Sequence, residues 1–162
     1  MWHASIMDLK PGHGPDQRTT ALPDLPPYVV FFDGVCAYCD GAVKWLLHKD
    51  KEGILAFAPL QGETAARMRV TFPREFPEGT PDSMVFVDST SGAPVLHRRA
   101  SGARRIAEVM QLKTGKPAWL YRLPLPLADL GYRLFAATRY RRFGKFNTCT
   151  VPDPAQAHRF LP

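Results

Sequence analysis

The chain is short of cysteines, of acids and of long apolar runs, and each shortage excludes something. Three cysteines in 162 residues are too few, and odd in number, for a disulfide-stapled secreted scaffold. No stretch approaches the roughly 20 apolar residues that span a bilayer. The opening MWHASIMDLKPGHGPDQ has no apolar segment of the kind a secretory signal needs. A reducing cytoplasm is therefore the expected setting. Acids number 15 against 21 Lys and Arg, which gives a formal charge of +6 and a pI near 9.5. No nucleic-acid motif accompanies that excess, so it reads as a solvated Arg-rich surface and no nucleic-acid partner is expected. His3 and His13 are too sparse to suggest a metal site, and His48, His97 and His158 show no ligand spacing.

The chemistry is concentrated in residues 28–41, YVVFFDGVCAYCDG. Tyr28 to Phe32 are aromatic or β-branched and predict a short buried strand. Asp33-Gly34 ends it, because Gly permits a tight turn and Asp bonds its own backbone. Ala42, Val43, Leu46 and Leu47 then recur at helical spacing within residues 40–50. Cys36 thus falls at a helix N-terminus, where unpaired N–H groups and the macrodipole favour a thiolate. Cys39 follows about one turn later, within reach of it. Cys36 is expected to be the more exposed and more acidic thiol and to attack a substrate disulfide, with Cys39 resolving the mixed disulfide. The same C-x-x-C spacing is half of many zinc sites, and an inert structural pair is a third reading.

Residues 1–26 are rich in Pro, Gly, Asp and Thr without periodicity and predict a flexible tail. Residues 27–112 alternate as a core. A second strand is predicted over 54–58, a short helix over 63–70 and a loop over 72–80 that contains Pro73, Pro77 and Gly79. A third strand over 83–87 and a hairpin strand over 94–97 follow, then a helix from a Ser101 cap to about 112. Residues 113–162 form a helical extension packed on this core. Its main helix is placed from Leu127, because Pro124 and Pro126 start or break helices. Leu123, Leu127, Leu130, Leu134 and Ala137 make an apolar stripe, with Arg133, Arg139, Arg141, Arg142 and Lys145 against the single acid Asp129. Such a helix suits an anionic membrane or an acidic partner. Stripes of this kind ordinarily serve packing, so the expected arrangement docks the leucines on the core and solvates the arginines.

The order D-G-x-C-x-x-C after a hydrophobic strand resembles the DCC family of predicted thiol-disulfide oxidoreductases, through Asp33, Cys36 and Cys39. Supporting matches are Pro59-Leu60-Gln61, Asp82-Ser83 and the Arg139-Tyr140, Phe143-Gly144 and Cys149 tail, so the resemblance spans about residues 27 to 161. It implies an α/β thioredoxin-like sheet with flanking helices. The dithiol itself predicts an enzyme of the protein-disulfide reductase type without a cofactor, and its expected partners are a disulfide-containing protein or small-thiol substrate and an electron donor. Ordinary thioredoxins carry a buried Asp six residues before the first Cys, a place held here by Val30. Asp33 lies closer, and it is expected either to exchange a proton with a thiol or to cap the turn. Thioredoxin-like proteins also set a cis-Pro against the dithiol. Pro81, or Asp82 with Ser83, occupies that place, and with Tyr38 these are the expected substrate contacts. Trp45 is expected in the core. Cys149 reads as a buried small residue, a third redox thiol or a third metal ligand. The alternative class is a non-enzymatic metal-binding or adaptor protein using the cysteines and the basic helix. Zinc normally takes four protein ligands, and three Cys with no neighbouring His fall short, so an enzyme without metal is the expected class.

Overall fold

Strand β1 (Tyr28–Phe32) lies inside a four-stranded sheet and is buried on both faces, which is why it reads as an unbroken apolar run. The structure, a computed structural model, describes residues 25–77, 84–111, 123–145 and 153–162. Strand β1 pairs in parallel with β2 (Leu55–Pro59), Val30 opposite Phe57. It pairs antiparallel with β3 (Val85–Asp88), Val30 opposite Phe86. A hairpin adds β4 (Val95–Arg98), and the sheet order is β2-β1-β3-β4. The parallel pair requires a crossover, supplied by helix α1 (Ala37–Lys49).

Alternation along the strands builds two cores. Val29 and Phe31 join Ala58, Met68, Phe76 and Val87 on the face covered by α2 (Glu63–Thr71). Val30 and Phe32 join Val43, Leu46, Phe57, Phe86 and Ile106 on the face covered by α1 and α3 (Arg99–Val109). Helix α4 (Leu125–Phe143) packs against α3 and α1. This mixed sheet with helices on both faces and a C-terminal helix is the arrangement expected of a thioredoxin-like fold.

The far edge of β2 is covered by the C-terminal segment. After a short 3-10 helix (Pro154–Arg159), Phe160 pairs with Phe57, and the Leu161 N–H donates to the Phe57 carbonyl at 2.8 Å. Arg159 is buried there, ion-paired to Asp50 and donating to the Leu55 carbonyl. Covering the edge removes a row of unpaired backbone groups.

Four sequence expectations are corrected. The leucine stripe of α4 does not dock on the core: Leu127, Leu130 and Leu134 are 56%, 53% and 64% exposed. The inward face carries Asp129, Tyr132, Phe135, Arg139 and Tyr140 instead. Polar groups hold that face down. The Ala100 N–H at the start of α3 donates to Asp129 at 3.3 Å, and the Met84 N–H donates to the Tyr132 hydroxyl at 3.1 Å. Arg139 is accordingly buried rather than solvated. Trp45 is 47% exposed, because α1 turns Val43 and Leu46 to the sheet and its neighbour therefore faces away. Ser101 sits inside the first turn of α3, its hydroxyl donating to the Arg98 carbonyl, and the N-cap is Arg98. The predicted tail up to residue 24, together with Pro81, Asp82, Ser83 and Cys149, lies outside the described residues.

Candidate active site

Cys36 is the N-cap of α1, and its sulfur accepts the Cys39 N–H at 3.4 Å. The sequence therefore puts the first sulfur where the helix has an unpaired donor to satisfy, a place that favours a thiolate. Both cysteines are free thiols. Their exposure reverses the expectation: Cys36 is 0% exposed, and Cys39 is the more accessible of the two. The cause is the chain beyond α4. Gly144, at φ +87, turns it so that Lys145 pairs its backbone with Cys36. The Lys145 ammonium lies over the Tyr140 ring, 5.6 Å from its centroid.

Beside the thiols lies a buried polar group centred on Asp33, which is 2% exposed. Its Oδ1 accepts from Gln61 Nε2 at 2.8 Å and from the Val35 N–H at 3.3 Å. Its Oδ2 accepts from Arg139 Nη2 at 2.9 Å and from the Tyr140 hydroxyl. The Val35 bond is the turn cap the sequence foresees. The other three come from elements remote in sequence. Gln61 is brought in because the Leu60 N–H donates to the Phe32 carbonyl at 2.8 Å, tying the ends of β1 and β2 together. Its Oε1 also accepts the Gly34 N–H at 3.1 Å, so one side chain fixes both the turn and the carboxylate.

Electrostatics divide the two thiols. Burial pushes Cys39 up to about 12, the hydrogen bond and charge of Cys36 add to it, and Arg139 pulls the other way. Cys39 is thus the proton-bearing thiol of the pair. Tyr140 is also raised, by burial and by its bond to Asp33, so it remains a hydroxyl donor. Tyr38 is 45% exposed and meets Phe135 edge-on and Phe143 at a tilt, with ring centroids 4.6 and 5.2 Å away.

Of the residues expected at the site, Asp33, Cys36, Tyr38 and Cys39 meet at the β1–α1 junction. Arg139, Tyr140 and Gln61 were not expected as site partners. Their signal was present in the Pro59-Leu60-Gln61 and Arg139-Tyr140 motif pieces. Among the described residues no three His, Cys, Asp or Glu side chains come together to hold a metal ion.

A family model described as DCC1-like thiol-disulfide oxidoreductase matches residues 30–145. The uncharacterized protein YuxK of Bacillus subtilis is 30% identical over 138 residues, covering 85% of this chain and 96% of that protein. A chloroplastic DCC family protein of Arabidopsis thaliana is 26% identical over 127 residues, covering 76% of this chain and 69% of that one. No solved structure matches.

Proposed function

The chain belongs to the DCC1-like thiol-disulfide oxidoreductase family, and on that footing we propose that it is a protein-disulfide reductase working through a Cys36–Cys39 dithiol. The observation that carries the reading is a helix-capping Cys36 sulfur that accepts the backbone N–H of Cys39, the second thiol one turn on. In the proposed reaction the Cys36 thiolate attacks a substrate disulfide, forming a mixed disulfide and releasing one substrate thiolate. Bonding to substrate removes the Cys36 charge and acceptor, two of the influences that hold the Cys39 proton. Arg139 then favours the Cys39 thiolate. Cys39 attacks the Cys36 sulfur, its proton leaves with the released substrate thiol, and the enzyme disulfide forms. Two electrons pass from dithiol to substrate, and an external thiol donor restores the dithiol.

In this reading the substrate reaches Cys36 by displacing the Lys145 pairing, with Gly144 as the hinge. Asp33 is a positioning residue. A carboxylate has about four acceptor sites, and four donors fill them here, so none is left for a thiol proton while the set is intact. Its part is to hold Arg139 beside the dithiol. Tyr38 presents an exposed ring to substrate, and Pro81, Asp82 and Ser83 are proposed as further contacts on the resemblance alone. Among the described residues no helix is long and apolar enough to cross a membrane. The reading sets the reaction in the reducing cytoplasm.

The test has two parts. Equilibration in dithiol buffers of graded poise, read by alkylation mass shift, should reveal an intramolecular Cys36–Cys39 bond. Cys39→Ser should accumulate a mixed disulfide at Cys36 when given a disulfide substrate. Absence of the internal bond at every poise sinks the dithiol reading. Trapping on Cys39 in a Cys36→Ser variant, with none in Cys39→Ser, reverses the two roles.

A further inference from the structure

Helix α4 turns a largely polar face inward and, among the described residues, leaves its leucine face uncovered. The inner face packs on α1 and α3. On the outer face Leu127, Leu130 and Leu134 lie within about 60° of one another around the axis, and each is more than half exposed. Arg133 and Arg142 flank this stripe on opposite sides, and Arg141 continues it two turns beyond Leu134. All three arginines are exposed, and among the described residues none of them pairs with an acid. Asp129 is the only acid in the helix, and it faces inward, accepting the Ala100 N–H.

We propose that this face binds the surface of an anionic phospholipid membrane, with the helix lying in the interface and not across it. An apolar strip bordered by long cationic side chains on both sides is what that interface selects. The leucines enter the acyl boundary while the arginine stems lie along it and their heads reach phosphate. A second copy of this chain fits less well. Antiparallel pairing centred on the stripe brings the two Arg133 side chains to the same side of the seam, and parallel pairing sets Arg141 against its counterpart, with no outward acid to offset either. A protein groove fits less well too. The face carries Leu, Ala, Gly, Thr and Arg and no aromatic anchor of the kind that dominates such interfaces. Docking here leaves the dithiol unused, so it is independent of the reductase reading.

The experiment is sedimentation of the full chain with vesicles of phosphatidylcholine containing phosphatidylglycerol, and with phosphatidylcholine alone. The protein should sediment with the anionic vesicles at low salt and be released as salt rises. Arg133→Gln/Arg141→Gln/Arg142→Gln should lower the partition about 100-fold, at roughly fivefold per arginine. Leu130→Gln/Leu134→Gln should lower it at least about tenfold. Both variants should keep the melting temperature and the insulin-reduction rate of the parent. The proposal is overturned by failure to sediment with anionic vesicles, or by equal sedimentation with neutral ones. It is also overturned if light scattering shows a dimer that the leucine variant splits while vesicle binding is unchanged. Retention on an acidic polypeptide without vesicle binding overturns it in favour of a protein partner.

Discussion

Arg139 on α4 and Asp33 at the end of β1 form an ion pair at 2.9 Å, 106 positions apart, with side chains only 3% and 2% exposed. The pair fastens the helical extension to the turn that carries the dithiol. Tyr140, the next residue, donates to the same oxygen. One two-residue step on α4 therefore fixes the position of Asp33.

Breaking that pair should cost far more than a surface ion pair. Arg139→Met leaves a buried carboxylate without its cation and should destabilise the chain by about 3–5 kcal/mol. Urea denaturation measures it. Adding Asp33→Asn in the same chain should recover part of the loss, because the orphaned charge is then gone. Additive losses in the double variant would show that the two side chains act separately. Asp33→Asn alone should also destabilise, since it removes the carboxylate to which Arg139 and Tyr140 donate. If that variant also changes the pH profile of disulfide reduction by a further titration step, Asp33 exchanges a proton directly.

The raised Cys39 thiol gives a pH dependence with a definite sign. The folded, reduced protein holds this proton up to about 12, against an ordinary value of 9.0. Folding therefore takes up a proton between those values. The stability contributed by this group is intact below about pH 9 and is lost as pH rises toward 12. Other groups titrate in that range, so the measurement is the difference in denaturation midpoint between the reduced parent and Cys39→Ser across it. A difference that stays constant from pH 9 to 12 contradicts the assignment.

Gly144 should control access to Cys36. Its φ of +87 suits glycine, and no neighbour would meet an added Cβ, so the penalty of a side chain lies in the backbone alone. Gly144→Ala should cost roughly 1–3 kcal/mol locally and weaken the pairing of Lys145 with Cys36. Iodoacetamide labelling of Cys36, followed by mass, should become faster while Cys39 labelling changes little. An unchanged Cys36 rate would mean that Lys145 is not what shields it.

The orientation of α1 is open to a simple contrast. Trp45 is 47% exposed and Leu46 only 7%. Trp45→Gln should fall within about 0.5 kcal/mol of the parent, whereas Leu46→Ala should lose about 2–5 kcal/mol. Comparable losses at the two positions would place the tryptophan in the core after all.

The local pattern by itself determined the β1 strand, the break at Asp33-Gly34, the helix after Cys36 and the alternating order of the core, because each rests on residues a few positions apart. It also fixed the strand-to-helix junction that gives Cys36 its capping role. The sequence could not show what covers that junction. Helix α4 has two faces able to pack, and apolar periodicity alone favours the leucine face. The tertiary structure selected the other, because Asp129, Tyr132, Arg139 and Tyr140 on it find hydrogen-bond donors and acceptors that leucine cannot satisfy. That choice buried Arg139 against Asp33, left the leucines outward and laid Lys145 over Cys36. Hydrogen-bond partners more than 100 residues apart leave no periodic trace, so which thiol is exposed was decided only when the chain closed on itself.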